Sequence, residues 1–210
     1  KDHKQDGKWT SWHKNGQIES EGNYKDGKKH GKVTWWHDSG QINGEATYKD
    51  DNLISQTDYY YYGNGQMSEK INYKDGELHG KYIGWHENGQ IKSEKNYIDG
   101  KKYGKWTWWH DSGQINTERI YKEDKEVSHT IYTYHKNGQK IIKGNYKDFR
   151  PDGKWTFWKL NGQKDEERNY KDGDLVDKTI FKYSFFTGQI TEQSYKDGKK
   201  DGKWTKWYKD

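Results

Sequence analysis

Apolar and polar residues alternate in short runs along the whole chain, and glycines interrupt these runs at regular intervals. In one such run, Ile18, Ser20, Gly22 and Tyr24 fall on one side of an extended backbone, and the polar residues between them fall on the other. Alternation with a period of two is typical of a β-strand with one buried face. Because each run is short and is followed by a turn signal, the pattern predicts an all-β protein.

The pattern recurs about every 24 residues, with a glutamine after a turn glycine in each unit. The glutamines are Gln17, Gln41, Gln66, Gln90, Gln114, Gln139, Gln163 and Gln189. Self-similarity at a fixed period is the sequence signature of a repeat architecture. We therefore predict that residues 1–210 form a single tandem-repeat domain of about eight units of 24–25 residues.

A longer period of 73 residues contains three units. The phrase "KVTWWHDSGQI" at residues 32–42 returns as "KWTWWHDSGQI" at 105–115, and the irregular third unit matches the sixth. These matches indicate that a three-unit block was duplicated. Units three, six and eight lack the second turn glycine and carry Ser55, Ser128 and Asp177 near that place, which predicts irregular loops there.

Each unit is predicted to form one β-hairpin. A first strand such as residues 105–110 leads into a tight turn, and a second strand follows over residues 114–121. Where the turn is Asn-Gly, it supplies the positive φ values that a two-residue hairpin turn requires. Repetition then gives an elongated, solenoid-like single antiparallel β-meander of stacked hairpins with about 17 short strands, one dry face and one wet face.

Aromatic residues supply most of the apolar area, since the chain has 12 Trp and 18 Tyr but only 28% hydrophobic residues. The fifth position before each glutamine forms a set that we call the ring column: Trp12, Trp36, Tyr61, Trp85, Trp109, Tyr134 and Trp158. The eighth position holds Trp9, Val33, Asp58, Tyr82, Trp106, Ile131 and Trp155. Positions three apart face opposite sides of a regular strand, so either a bulge reconciles the two rows or one row is exposed.

The ring column is the candidate ligand-binding site. Equivalent positions in successive hairpins lie two strands apart, or roughly 9.5 Å, which suits a polysaccharide that stacks its apolar faces on the rings. The opposing interpretation is that the rings form the core, and it is favoured because few other apolar side chains could fill one.

Charge and composition exclude several functional classes. The net charge is +5, and lysines are interleaved with Asp and Glu, whereas a nucleic-acid footprint needs clustered basic residues. Specific nucleic-acid binding is therefore not predicted, although turn lysines such as Lys28 and Lys29 leave anionic lipid as a candidate partner. The chain has no cysteine, which excludes disulfides and thiol catalysis.

Neither a catalytic nor a metal site is predicted. Acid–base catalysis needs carboxylates in unlike environments, whereas repetition supplies similar ones. Only an irregular pocket at residues 58–62 or 181–186 would change this. One position after the ring column stand His13, His37, His86, His110 and His135. Imidazoles spaced roughly 9.5 Å apart do not converge on one ion, so neither metal nor cofactor is expected.

The recurring motif resembles the bacterial variant of the MORN repeat. The segments "NYKDGKKHGKVTWWHDSGQI" and "NYKDGELHGKYIGWHENGQIKSE" carry the match most clearly, and the resemblance extends over essentially the whole chain. It implies stacked hairpins in an elongated, twisted sheet and a role in binding or scaffolding rather than catalysis. Some relatives carry an antitoxin label, and other MORN proteins are linked to membranes and protein assembly.

These observations predict a non-enzymatic binding or structural scaffold for a protein partner or a cell-surface assembly. A glycan-binding adhesin-type repeat and an antitoxin-like partner-binding protein remain the alternatives. The chain begins and ends inside a unit, so we expect either a longer native protein or self-association through terminal strand edges. The compartment is undetermined, with a surface or secreted location favoured over the cytoplasm.

Overall fold

The computed structural model describes residues 4–202 and 204–208. Every regular element in this part of the chain is a β-strand, and 21 strands form an open antiparallel sheet in meander order. The predicted all-β antiparallel meander is therefore confirmed. The chain divides into two compact units, the first running to Gln114 with Lys122–Lys125, and the second comprising Ile115–Tyr121 and the residues from Glu126 onward.

The strands of the first unit follow one another in hairpins. They are β1 (Gly7–Trp12), β2 (Ile18–Lys25), β3 (Lys28–Trp36), β4 (Ile42–Lys49), β5 (Asn52–Tyr61), β6 (Met67–Lys74), β7 (Glu77–Leu78), β8 (Gly80–Trp85), β9 (Ile91–Ile98), β10 (Lys101–Lys102) and β11 (Gly104–Trp109). The strands that follow are β12 (Ile115–Lys122), β13 (Lys125–Tyr134), β14 (Lys140–Lys147), β15 (Arg150–Pro151), β16 (Gly153–Trp158), β17 (Lys164–Lys171), β18 (Asp174–Tyr183), β19 (Gln189–Lys196), β20 (Lys199–Lys200) and β21 (Thr205–Tyr208).

Four of the 21 strands, β7, β10, β15 and β20, are two-residue segments that precede a longer strand, so 17 longer strands remain, as the repeat pattern predicts. The break between β7 and β8 falls at His79, whose N–H donates to the carbonyl of Asn72 at 2.9 Å. Gly80 follows with a φ of 82°, a conformation that residues with a side chain rarely adopt. The second turn glycine therefore interrupts the strand at this place, whereas β3 continues through the equivalent Gly31 (φ 91°).

No separate loop forms at the places where units three, six and eight lack the second turn glycine. Ser55, Ser128 and Asp177 lie inside β5, β13 and β18, which are strands of ten residues each. An irregularity is nevertheless present in units three and eight, because the pairing with the preceding strand shifts register next to Ser55 and Asp177. The predicted irregularity therefore takes the form of a β-bulge within a strand, not of a loop.

Two kinds of turn join the strands. Between β2 and β3, Asp26 (φ 51°) and Gly27 (φ 82°) both have positive φ values, which is the geometry of a two-residue type I′ turn. The turn between β1 and β2 is longer, because the N–H of His13 donates to the Gln17 carbonyl at 2.8 Å and three residues lie between them.

The prediction of a two-residue Asn-Gly turn is therefore wrong. In the first turn only Gly16 has a positive φ, of 85°, and Asn15 does not. The side chain of Asn15 instead accepts a hydrogen bond from the N–H of Gln17 at 3.0 Å. A three-residue loop that ends in a left-handed glycine is the next most common hairpin connection.

The two faces of the sheet differ in character. One face, which we call the glycine face, carries Gly22, Gly44 and Gly84 in the first unit and Gly144 in the second, beside large side chains. The other, which we call the ion-pair face, carries a Lys–Glu pair in several repeats. The pairs are Lys8–Glu21 (2.9 Å), Lys32–Glu45 (2.5 Å) and Lys81–Glu94 (3.4 Å) in the first unit and Lys154–Glu167 (2.6 Å) in the second.

Buried side chains occur on both faces, so the prediction of one dry face and one wet face is wrong. The neighbours Trp106 and Thr107 point to opposite faces and are 5% and 6% exposed. No side chain in the described ranges is completely buried. Because every element is a strand of the sheet, neither face is covered by a second layer, and side chains are buried only by neighbours on the same face.

Lysine stems cover the aromatic rings of the glycine face. In the first unit the ammonium of Lys95 lies 4.4 Å from the centre of the Tyr82 ring and 5.8 Å from that of Trp106. Burial lowers the pKa of Lys95. An ammonium over a ring face is attracted by the ring quadrupole, while the methylene stem adds apolar cover. Lysine thus does part of the work that aliphatic residues do elsewhere.

We predict that Gly144→Ala destabilises the second unit. A Cβ at Gly144 would collide with the Trp155 ring, which lies flat over this residue. Overpacking of this kind costs about 1–3 kcal/mol, which urea unfolding would measure. Gly63→Ala is the matched control, since a Cβ there has no neighbour within 4 Å. Equal unfolding midpoints for the two variants would contradict the prediction.

Candidate functional site

The ring column lies at strand ends, next to the turns. Trp12, Trp36, Tyr61, Trp85 and Trp109 close β1, β3, β5, β8 and β11, and Tyr134 and Trp158 close β13 and β16. Trp12 is 62% exposed, whereas the other six are half-buried. The column is therefore neither a closed core nor an open row of bare rings, and its role in ligand binding stays a prediction.

The fifth-position and eighth-position rows lie on opposite faces. In β1 the residues from Trp9 to Trp12 continue in regular extended geometry, so these two rings point to opposite sides. A bulge is present, but it lies in the partner strand: Ser11 pairs with Ser20 and Trp12 with Ile18. The bulge therefore does not bring the rows together, and neither row is exposed throughout.

Hydrogen bonds from histidine side chains link each turn to the next repeat. In the first unit the Nε2–H of His13 donates to the carbonyl of Trp36 at 2.9 Å, and that of His86 donates to the carbonyl of Trp109 at 3.0 Å. In the second unit His135 bonds to the carbonyl of Trp158 at 3.3 Å. The side chains of these three histidines therefore have a structural role, because each links one repeat to the next.

Asparagines of the turns form a second set of links. Asn15 donates to the carbonyl of Asp38 at 2.7 Å, and Asn88 donates to the carbonyl of Asp111 at 2.7 Å, each 23 residues further on. We call the histidine and asparagine links together the turn ladder. Sequence reasoning missed it, although the recurrence of His four residues before, and of Asn two residues before, five of the eight glutamines carried the signal.

The described residues contain no group of three or more His, Asp or Glu side chains that could hold a metal ion. Nor does residue range 4–202 or 204–208 contain a helix long and apolar enough to cross a membrane.

An exposed apolar cluster lies on two neighbouring turns of the second unit, and we call it the turn patch. Leu160 is 60% exposed, and Phe185 and Phe186 are each 95% exposed. The two Phe rings contact each other edge to face, with centroids 5.8 Å apart. The ammonium of Lys159, in the first of these turns, lies 5.3 Å from the centre of the ring of Tyr183, which ends β18 just before the second turn.

The turn ladder does not continue into the turn patch. Asn161, which occupies the ladder position, donates to the side chain of Gln163 in its own turn at 2.9 Å. The spacing from Gln163 to Gln189 is 26 residues, two longer than in most units, which displaces the next turn. Sequence reasoning considered residues 181–186 as a pocket, but Phe181 is buried in β18 and the two later Phe residues are on the surface.

Ionisable groups on the ion-pair face are perturbed by their partners. Burial raises the pKa of Tyr59 to about 12, assisted by the carboxylate of Glu45, to which its hydroxyl donates at 3.2 Å. Burial alone would raise the pKa of Glu167, but hydrogen bonds from Lys154 (2.6 Å) and Lys164 (2.8 Å) outweigh it and hold the pKa below its usual value. Tyr59 therefore acts as a neutral hydrogen-bond donor, whereas Glu167 acts as a charged acceptor for two lysines.

Repeated hairpins with conserved spacing, linked turn to turn, define a tandem-repeat protein with a binding or structural role. A sequence model described as the MORN repeat variant matches seven segments: residues 5–26, 29–50, 59–75, 78–99, 102–123, 130–148 and 151–172. These matches cover more than half of the chain, and the protein therefore belongs to the MORN repeat variant family. The resemblance identified from the sequence is confirmed.

Two solved structures show distant similarity to the chain. A crystal structure of TcdB2-TccC3-TEV is 11% identical with a TM-score of 0.27, and the match covers 90% of this chain and 14% of that one. A protein with unknown function from Bacteroides fragilis is 10% identical with a TM-score of 0.16, covering 68% of this chain and 92% of that one. No curated protein matches the chain.

We predict that removing one asparagine link of the turn ladder lowers the free energy of unfolding of the first compact unit. Asn88→Ala deletes the bond to Asp111 and the bond from the Gln90 N–H, which together contribute about 1–3 kcal/mol. The neighbouring exposed residue Glu87 provides a control as Glu87→Ala. In thermal unfolding, Asn88→Ala should lower the melting temperature and Glu87→Ala should not. If only Glu87→Ala lowers it, the turn ladder does not have the proposed role.

We also predict that Glu167 makes stability depend on pH. Because its pKa is lowered in the folded state, its contribution is complete above the unfolded value of about 4.3 and is lost as the pH falls through the folded value. Glu167→Gln should therefore lower the urea midpoint at neutral pH, and the difference from the wild type should shrink below about pH 4. A difference that stays constant with pH would contradict this assignment.

Proposed function

We propose that this protein is a non-enzymatic binding scaffold that holds a partner protein on the turn patch of its second unit. The observation that carries the proposal is the near-complete exposure of Phe185 and Phe186 beside the exposed Leu160. Exposed apolar patches mark interaction sites, and the two Phe rings contact each other. The repeats then serve to hold these turns in a fixed geometry.

The surroundings of the turn patch suit a protein surface. Lys159, which precedes Leu160, pairs with Asp165 at 3.6 Å, so both signs of charge lie beside the first of the two turns. A central apolar anchor with a polar rim of mixed charge is the usual anatomy of a protein–protein interface. A purely anionic lipid surface would favour a rim of one sign.

The other functions predicted from the sequence remain open beside this one. The glycan alternative rests on Trp12, whose 62% exposure leaves one ring of the column accessible. The antitoxin-like alternative is a special case of partner binding and would use the same test. Self-association through terminal strand edges, a cell-surface location and lipid binding likewise stay predictions.

The test is to identify and then reconstitute the complex. A photo-cross-linking amino acid at position 186 would capture the partner, and calorimetry would then measure its affinity for the purified chain. Phe185→Ser with Phe186→Ser should weaken binding by tenfold or more, because buried aromatic anchors contribute about 2 kcal/mol or more each. The substitutions should leave the fold intact, since both rings are 95% exposed.

Phe149→Ser supplies the matched control. Phe149 is 98% exposed but lies on a turn of the other type, between β14 and β15. The partner should bind this variant as tightly as the wild type. If the double variant retains full affinity, or if the chain binds lipid vesicles through the same two residues and captures no protein, the proposal is wrong.

A further inference from the structure

A hollow on the glycine face of the first unit is formed by side chains that the repeats use nowhere else in this combination. We call it the Asp58 hollow; it has a volume of about 360 Å³ and is lined by Trp35, Asn43, Gly44, Gln56, Asp58 and Tyr60. Two aromatic rings, one carboxylate and two amides therefore line one depression. Within the first compact unit it lies in the third sequence repeat, where Asp58 replaces the apolar or aromatic residue that the other repeats carry.

Gly44 leaves the space open. A Cβ at this position would lie 3.4 Å from a carboxylate oxygen of Asp58 and 3.8 Å from the Trp35 ring. A larger side chain would therefore fill the region between the carboxylate and the ring. The glycine allows a ligand to contact both groups at once.

The carboxylate of Asp58 has a neutral partner and no ion pair within the described residues. The amide of Gln56 donates to it at 2.6 Å. The negative charges of Asp58 and Glu69 both add to burial in raising the pKa of the nearby Tyr73. The hollow thus holds negative charge that no lysine or arginine of the described chain neutralises through an ion pair.

The Tyr60 ring also lacks the internal cation that covers many other rings. Lys95 lies over Tyr82 and Trp106. Lys29, which is not among the residues that line the hollow, lies 5.8 Å from the centre of the Trp35 ring and 4.9 Å from that of Tyr48. Among the described residues, no lysine lies over Tyr60, which is 47% exposed. A ring and a carboxylate without a resident cation form a site for an external one.

We propose that the Asp58 hollow binds an organic cation, with a quaternary ammonium group against the rings of Trp35 and Tyr60 and its charge opposite Asp58. Aromatic faces attract such ions, and apolar methyl groups fill a half-open depression better than a hydrated metal ion does. The same group could come from a free small molecule, a lipid headgroup or a methylated lysine of a protein. The proposal is independent of the turn patch.

The duplicated block provides a comparison within the chain. Adding 73 residues gives Thr117 in place of Gly44, Ile131 in place of Asp58 and Thr133 in place of Tyr60. The sixth sequence repeat therefore has the same repeat pattern but lacks the glycine, the carboxylate and the second aromatic ring. These residues are ready-made substitutions that the fold already accepts in an equivalent position.

Choline is the first probe. Its binding is measured by NMR, through saturation transfer from the protein to the choline methyl protons and through the chemical-shift change of the Gly44 amide. The wild type should give a saturable signal. Asp58→Asn, which keeps the shape and removes the charge, and Gly44→Thr should each weaken binding by about tenfold or more. Glu45→Gln should bind normally, because Glu45 lies on the ion-pair face and pairs with Lys32.

Further binding experiments distinguish among a lipid headgroup, a methylated lysine and a free small molecule as the source of the cation. Phosphatidylcholine vesicles and a trimethyllysine peptide, compared with choline, show whether a membrane, a protein or a free molecule presents the cation. Circular dichroism checks that each variant is folded. Absence of a saturable choline signal overturns the proposal, as does wild-type affinity in Asp58→Asn. A neutral sugar that binds the hollow and is unaffected by Asp58→Asn also overturns it.

Discussion

In a sheet whose faces have no covering layer, a side chain is buried only by its neighbours on the same face. This constraint explains the composition better than any functional requirement does. A few aliphatic side chains are buried in this way, such as the cross-strand neighbours Val33 and Ala46 at 3% exposure, but large rings supply most of the apolar area. Trp155 lies flat on Gly144, and Lys95 extends its stem across Tyr82 and Trp106. Rings, glycines and lysines together replace a conventional core.

The same constraint gives the turns a structural role. Since side-chain burial is limited, hydrogen bonds between successive repeats carry a larger share of the stabilisation. His13 and Asn15 each reach the backbone of the next repeat, and their equivalents repeat the contact. Each repeat then depends chiefly on its neighbours, as in other repeat proteins. A functional site can therefore develop in one repeat without disturbing repeats further away.

Much of the architecture could be predicted from the sequence, because the repeat period, the strand alternation and the ring column are local patterns. The geometry of the turns could not, since Asn-Gly is compatible with more than one loop and the side chain of Asn15 decided between them. The broken strands were missed because the second turn glycine was interpreted as part of a regular loop. Exposure was the other limit: Trp12 and Trp36 occupy the same repeat position but differ in burial, which depends on neighbouring strands.

The turn ladder has a consequence for how such a protein changes in evolution. Asn15 and Asn88 bridge their junctions through a side-chain amide, and the side chain of Gln41 bridges another to the carbonyl of Gly65. Because a three-unit block carries its own set of such links, duplication of the whole block preserves them. A change of length inside a repeat has the opposite effect, because it moves one turn out of reach of the next. The eighth sequence repeat is lengthened in this way. Its turn does not take part in the turn ladder and carries the exposed aromatic side chains Phe185 and Phe186.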